Sequence, residues 1–120
     1  MEVSCPFFHK KAEAISMARL RYACPVCGYL TLESLRDWDI CPICLWEDDV
    51  SIEERPDVHS PANAMALSEA QANFIVFGVC KPDYIGKVRP PDQRDERDAH
   101  WKPLAKALEI VSRSTRPQIR

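Results

Sequence analysis

The chain has 120 residues, 46% of them hydrophobic, and a formal charge of −2, which suits one domain or one small domain with appendages. It contains no run of about 18 apolar residues, and its start, "MEVSCPFFHKKAEAIS", lacks the basic-then-apolar layout of a secretion signal. We therefore expect a cytoplasmic protein without membrane contact, in which six cysteines indicate metal or redox chemistry rather than disulfides.

The charge is unevenly distributed along the chain. Residues 33–57 carry nine acidic and two basic residues, whereas residues 81–120 carry ten basic and six acidic residues. Proteins that grip a phosphate backbone do so with clustered Lys and Arg. The acidic segment therefore argues against contact between nucleic acid and the cysteine-containing part of the chain.

Short elements are predicted in the first half. Residues 9–20, "HKKAEAISMARL", are predicted to form a helix, and Tyr29 to Leu32 a strand rich in aromatic and β-branched residues. The predicted hairpin partner of that strand is Trp38 to Ile40, across the turn "ESLRD". The mostly polar residues 47–66 are predicted to form a loop.

Two helices are predicted in the second half. Ser68 and Gln71 fit a capping box that opens a helix over residues 68–78, and Gly78 suits its left-handed stop. Residues 81–92 are predicted to form an irregular connector because of their prolines and glycine. The segment "KPLAKALEIVSR" is predicted to form a last helix, with an apolar stripe of Leu104, Leu108 and Val111.

Two C-P-x-C pairs, Cys24 with Cys27 and Cys41 with Cys44, are the strongest motif. Two thiolates separated by two residues can face one centre from a tight turn, and Gly28 permits the first turn to reverse sharply. Four thiolates suit tetrahedral Zn²⁺ and leave no position open for substrate water. The spacing therefore predicts one structural zinc ion per chain.

The other cysteines and a thiol-redox role are weaker hypotheses. C-P-x-C pairs also occur in oxidoreductases, but a redox site needs one pair, usually at a helix start, and both pairs here lie in a predicted hairpin region. Cys5 and His9 have a C-x3-H spacing, although a second zinc site would need two further ligands. Cys80 is expected to be a buried cysteine at the end of the 68–78 helix.

The stretches "CPVCGYLTLE", "ICPICLWEDD", "SEAQANFIVFGVC" and "VRPP" together resemble the bacterial cysteine-rich CPCC proteins over roughly residues 22–92. That family is similar to zinc ribbons, so the resemblance implies a small α+β fold: a zinc-ribbon-like β-hairpin module with two knuckles, packed on two or three helices. Val26 replaces a cysteine that is common in the family's first motif, which leaves the outer two as ligands. Residues 1–21 and 93–120 are expected to be helical extensions, the second of them packing on the domain.

The residues around the second pair raise a further hypothesis. Leu45 and Trp46 are expected to pack on the 68–78 helix and to shield the sulfurs. Behind them stand three acids, Glu47, Asp48 and Asp49. These acids either pair with Arg89 of "VRPP", which we prefer, or face a basic partner. The run "DQRDERDAHWK" is expected to be a solvated helix face, or alternatively a partner surface anchored by Trp101.

The leading functional hypothesis is a non-enzymatic zinc protein that binds another protein, such as a basic toxin, in an immunity or adaptor role. The alternatives are a nucleic-acid-binding zinc ribbon that uses the basic C-terminal third, and a thiol-redox protein. His59 and Asn63 raise a nuclease hypothesis, but "HSPAN" is typical of a turn, and no supporting histidine or phosphate-cradling loop accompanies it.

Overall fold

The computed structural model describes residues 21–52 and 55–115. Within these ranges the elements are, in chain order, β1 (Tyr22–Ala23), β2 (Leu30–Leu32), β3 (His59–Ser60), β4 (Met65–Ala66), α1 (Leu67–Phe77), a 3-10 helix (Pro82–Tyr84) and α2 (Ala105–Thr115). Two small antiparallel hairpins and two helices make a small α+β domain, as expected. The predicted helix over residues 9–20, together with Cys5 and His9, lies outside the described residues.

The first hairpin encloses the first cysteine pair. β1 and β2 are antiparallel, with Tyr22 opposite Leu32 and Ala23 opposite Leu30. A later segment, residues 96–98, extends this sheet: the Leu30 N–H donates to the Glu96 carbonyl at 2.8 Å. The prediction that the run "DQRDERDAHWK" forms a helix is therefore wrong. Its residues 96–98 form an edge segment instead, because their backbone groups bond to the free side of β2.

The second cysteine pair stands at the tip of its own hairpin-like turn. Ile40 and Glu47 form an antiparallel bridge. The Trp38 N–H donates to the Asp48 carbonyl at 3.1 Å, and the Asp48 N–H donates to the Asp39 carbonyl at 2.8 Å. The prediction that residues 38–40 pair with residues 29–32 is therefore wrong. Each cysteine pair lies in the turn between two segments that pair with each other. The reason is that the two segments flanking one tight turn are already adjacent, whereas the segments of different turns are not.

The β3–β4 hairpin lies where a loop over residues 47–66 is predicted. β3 pairs with β4, with His59 opposite Ala66 and Ser60 opposite Met65. Its turn is tight, since the Ala64 N–H donates to the Ser60 carbonyl at 2.7 Å. The turn predicted for "HSPAN" is confirmed, but strands of two residues each are too short to give an alternating pattern in the sequence.

Helix α1 begins earlier than predicted, and its capping box is different. Ala66 is the N-cap, and the Glu69 carboxylate accepts its N–H at 3.0 Å. Ser68 and Gln71 are therefore inside the helix and do not cap it. The predicted stop is confirmed: Gly78 has a φ of 79°, and its N–H donates to the Phe74 carbonyl at 2.8 Å.

Helix α2 packs on α1 through a face that differs from the predicted stripe. Ala107 is fully buried, whereas Leu108 is 51% exposed. Ile110 and Val111 are half-buried. The prediction that Leu108 is buried is wrong. Two adjacent stripes of this helix are apolar, and the stripe that contains the small residue Ala107 packs on α1.

The core surrounds the two cysteine pairs. Its largest fully buried apolar side chains are Trp46, Leu32, Ile43, Val26 and Val79. All of these except Val79 share one cluster with the four paired cysteines, so the core and the cysteine site are one structure. In the parts of the chain described here, no helix combines the length and the apolar character needed to cross a membrane.

Gly28 provides a test of the packing beside the first turn. A Cβ on Gly28, at a φ of 81°, would lie 2.6 Å from Cδ2 of the Trp101 ring, whereas one on Gly86, at a φ of 85°, would meet no atom within 4 Å. Left-handed backbone alone costs a non-glycine residue about 1–2 kcal/mol, and overpacking adds about 1–3 kcal/mol.

We therefore expect Gly28→Ala to lower the free energy of unfolding by about 2–5 kcal/mol and the control Gly86→Ala by about 1–2 kcal/mol. Chemical denaturation followed by circular dichroism measures both. Equal losses in the two variants would show that Trp101 does not pack against Gly28.

Candidate metal centre

The four paired cysteines converge at one point in the core. Their sulfur atoms all lie within 4.8 Å of one another, and each residue is fully buried. The Cys24 and Cys44 sulfurs are 3.6 Å apart, and those of Cys27 and Cys41 are 3.8 Å apart. A tetrahedral ion with bonds of about 2.3 Å to sulfur holds its sulfurs about 3.8 Å apart. The separations therefore fit a single tetrahedral ion.

The two turns that present these cysteines have the same geometry. The Gly28 N–H donates to the Cys24 carbonyl at 2.8 Å, and the Leu45 N–H donates to the Cys41 carbonyl at 2.7 Å. Gly28 and Leu45 both have left-handed backbone, with φ of 81° and 67°. Leu45 was missed as a turn residue because leucine rarely adopts this conformation, and only its place after the second pair matches that of Gly28.

The electrostatics of the four thiols also favour a cation. Burial raises the pKa of Cys24 and of Cys44 well above the ordinary thiol value. Hydrogen bonds, first from Cys24 and then from Cys27 and Cys44, lower the pKa of Cys41. A buried group of thiols thus stabilises one negative charge by itself, and a cation at its centre would stabilise the others.

Thr31 belongs to this site and was not predicted. Its hydroxyl donates to the Cys41 sulfur at 3.1 Å, and the residue is buried in β2. Such a hydrogen bond orients a metal ligand and spreads its charge. The signal in the sequence is weak, since a threonine in a predicted strand is ordinary and only its place between the two pairs distinguishes it.

Trp46 packs with the cysteines in the core, as expected. It is 1% exposed and shares the core cluster with all four cysteines and with Ala70 of α1. Leu45 is half-buried, and its contact with α1 stays a prediction.

Cys80 lies beside the site but is not part of the four-cysteine group. It is 1% exposed, and its N–H donates to the Cys44 carbonyl at 3.0 Å. Burial raises the pKa of its thiol to about 12, so the thiol is protonated at neutral pH. Cys80 is a buried cysteine next to the helix end, as predicted.

Two of the acids behind Cys44, Asp48 and Asp49, direct their carboxylates inward, toward backbone and hydroxyl groups. Asp49 is 3% exposed, and its carboxylate accepts hydrogen bonds from the Ser51 N–H and hydroxyl and from the Ser60 hydroxyl at 2.8, 2.6 and 2.6 Å. Burial alone would raise the pKa of Asp49, but these bonds outweigh it and hold the pKa below its usual value. Asp49 therefore ties the segment after the second turn to β3.

Asp48 is held through its carboxylate, and Glu47 is held through its backbone. Asp48 is 7% exposed, and its carboxylate accepts the Arg36 N–H, while burial raises its pKa. The Glu47 backbone N–H and carbonyl both bond to the side-chain amide of Asn63, each at 2.9 Å. Asn63 is thus a structural residue, whereas His59 is exposed. A partner role for these acids stays a prediction, and Asp48 and Asp49 offer such a partner little surface.

Arg89 does not pair with these acids, and that prediction is wrong. Its guanidinium contacts Asp95 at 2.8 Å, and the two groups form two hydrogen bonds. The contact lowers the pKa of Asp95 to about 2. The physical reason is local: a turn in which the Asp95 N–H bonds to the Asp92 carbonyl returns Asp95 to Arg89, while Asp48 and Asp49 already have donors.

Trp101 and Arg97 close the first turn from outside. The Trp101 indole N–H donates to the Pro25 carbonyl at 2.9 Å, and Gln71 of α1 donates to the same carbonyl at 2.8 Å. The Arg97 guanidinium lies between the rings of Tyr29 and Trp101, 4.8 and 4.9 Å from their centres. Trp101 is half-buried in this contact, and a role as partner anchor stays a prediction.

The internal role of Asp49 can be tested against an exposed acid of the same stretch. Asp49→Asn removes the charge that strengthens these hydrogen bonds, and the new NH₂ group faces N–H and O–H donors that it cannot accept from. We therefore expect the free energy of unfolding to fall by about 2–4 kcal/mol. The control Asp37→Asn removes an exposed carboxylate that accepts from the Ser34 hydroxyl at 3.3 Å. We expect a change within about 0.5 kcal/mol there. Similar small losses in both variants would contradict the structural role.

Comparison with known proteins agrees with this geometry. The family model described as cysteine-rich CPCC matches residues 22–95, which contain all four clustered cysteines, Thr31 and helix α1. No curated protein and no solved structure matches the chain. With more than half of its length matched, this chain belongs to the cysteine-rich CPCC family.

Proposed function

We propose that this protein holds one structural zinc ion at Cys24, Cys27, Cys41 and Cys44, and that the module organised by the metal binds another protein without catalysing a reaction. The observation that carries the proposal is the set of four fully buried sulfurs at separations of a tetrahedral site. Zn²⁺ prefers this ligand set and this geometry. Four thiolates fill the tetrahedron, so the ion has a structural role and no open position for substrate.

A protein partner is supported by the exposed apolar side chains. Among the exposed large hydrophobic residues, two groups lie close together in the sequence: Leu35, Trp38 and Ile40 before the second turn, and Ile75, Val76 and Phe77 at the end of α1. Clusters of this kind are typical of surfaces that bind other proteins. The proposed partner is a basic protein, such as a toxin in an immunity role or a client in an adaptor role, since the acidic segment would attract it.

The nucleic-acid alternative depends on the basic third of the chain. Two of its arginines have internal contacts: Arg89 with Asp95, and Arg97 with the Cys27 carbonyl. Side chains held in this way are less available to phosphates, which favours the protein-binding proposal over a nucleic-acid-binding zinc ribbon.

The metal can be tested by its stoichiometry and its effect on folding. Purified protein should contain about one zinc ion per chain by elemental analysis, and Cys24→Ser should contain much less. Because metal binding of this kind contributes about 10–16 kcal/mol, chelation should unfold at least residues 22–47, as measured by hydrogen exchange.

The control for this experiment is Cys80→Ser, a buried cysteine outside the group, which should retain its zinc. Metal-free protein that keeps its hydrogen-exchange protection and cycles a disulfide would contradict the proposal and favour the thiol-redox alternative.

The partner class can be tested by capture from a nuclease-treated native bacterial lysate on immobilised zinc-loaded chain. We expect a basic protein to be retained, and its retention to weaken as salt is raised, since exposed charges are screened at higher ionic strength. The Cys24→Ser variant should not retain it. Labelled DNA or RNA that binds at micromolar concentration with a steep salt dependence would instead favour the nucleic-acid alternative.

A further inference from the structure

Residues 33–40, which we name the acidic–apolar loop, connect the first hairpin to the second turn. Three large apolar side chains on this loop are exposed: Leu35 by 48%, Trp38 by 45% and Ile40 by 57%. Three acids, Glu33, Asp37 and Asp39, and one base, Arg36, stand among them in the same eight residues. A single exposed leucine is ordinary, but three large apolar side chains including a tryptophan within six residues are not.

The loop is held in place by carboxylates of the fold. Asp39 accepts the backbone N–H groups of Glu33 and Ser34 at 2.8 and 3.3 Å, and Asp48 accepts the Arg36 N–H. A mobile loop loses conformational entropy when it binds a partner, and a loop already fixed by internal bonds loses less of it. The backbone bonds therefore prepare the apolar side chains for contact.

The loop contains two residues in an unfavourable conformation. Arg36 and Trp38 have φ of 51° and 66°, and neither is a glycine. Such backbone persists where the surrounding contacts impose it, and it is concentrated at functional sites. At Trp38 it accompanies an indole ring that is nearly half exposed, although burial of the ring would be favourable.

A pocket of about 130 Å³ lies beside the loop. Leu35, Trp46, Ile52 and Leu67 form apolar walls, and Arg36, Asp48 and Asp49 are also part of its lining. A cavity of about 150 Å³ accommodates a molecule of the size of benzene, so this pocket has room for one side chain. Because Arg36 would repel a second cation and the two carboxylates already have donors, the apolar walls suit an apolar side chain.

We propose that the acidic–apolar loop and this pocket form the docking surface for a segment of another protein that carries both basic and apolar residues, with one apolar side chain in the pocket, others on Trp38 and Ile40, and basic side chains beside Glu33 and Asp37. The inference rests on the proposed protein-binding function and assigns its surface and the chemistry of its partner. Charge complementarity identifies the occupant, because Glu33 and Asp37 are exposed and the surrounding residues 33–57 carry nine acids against two bases.

The test uses the zinc-loaded full chain and a short lysine-rich peptide that also carries leucines. The chain has three tryptophans, of which Trp46 is buried and Trp101 is bonded to Pro25, so the indole N–H signal of Trp38 reports on the loop in a nuclear magnetic resonance titration. We expect this signal and the backbone signals of Leu35 and Ile40 to shift. Peptides with serine for leucine, or glutamate for lysine, should produce at least about tenfold weaker binding.

Two variants separate this surface from other exposed apolar sites. Trp38→Ala should weaken binding of the peptide by about tenfold or more, whereas Ile85→Ala, which removes a side chain that is 56% exposed elsewhere, should leave it unchanged. The double change Glu33→Lys and Asp37→Lys should weaken binding and reduce its salt dependence. Unchanged circular dichroism in each variant shows that the fold is intact.

Peptide binding that is unaffected by Trp38→Ala, or signal shifts confined to the end of α1, would overturn the assignment of the surface. So would concentration-dependent shifts of Trp38 without peptide, since they would identify a second copy of the chain as the occupant. A lysate partner retained equally by wild type and Trp38→Ala would leave the protein-binding function standing while refuting the surface. A wild-type chain that retains no protein would refute the function itself.

Discussion

The convergence of four sulfurs from two turns is the constraint on which the rest of the structure depends. Each turn is closed by a backbone hydrogen bond and ends in left-handed backbone, so both present their thiols in the same way. The strands that flank them are two or three residues long and make few hydrogen bonds of their own. Short strands give a chain of this size little stability of their own. Its stability therefore depends on the core, which is built around the cysteines.

Carboxylates have a second organising role in this fold. Asp39, Asp48 and Asp49 each accept backbone N–H groups from segments without regular pairing. Loops of this kind leave many donors without a partner, and a carboxylate with two oxygens can satisfy several of them. The acidity of residues 33–57 is thus partly a structural requirement. Outside these contacts, Asp37 is exposed, and Glu33 is exposed in a surface pair with Arg21 at 3.7 Å.

Local signals in the sequence predicted what local physics decides. The cysteine pairs, the stop at Gly78, the turn at "HSPAN" and the cover by Trp46 follow from residue type and spacing, and the structure confirms them. Pairings that depend on distant residues were not predictable. The 96–98 edge segment and the hydrogen bond from Gln71 to the Pro25 carbonyl depend on where the turns bring the chain, and hydrophobic periodicity carries no information about that. The Arg89–Asp95 pair is local, but it depends on a turn over residues 92–95 that was not predicted.

The closure of the first turn by Arg97 and Trp101 has a consequence for how the chain folds. The hydrogen bonds to Cys27 and Pro25 span 70 and 76 residues of sequence, whereas each turn is closed by a bond across four residues. Contacts over such separations form late, since the intervening chain must be ordered first. During synthesis from the N-terminus, Cys24 and Cys27 emerge well before Arg97 and Trp101. The first turn can therefore close before the residues that cover it from outside are present, and the two steps are separate in time.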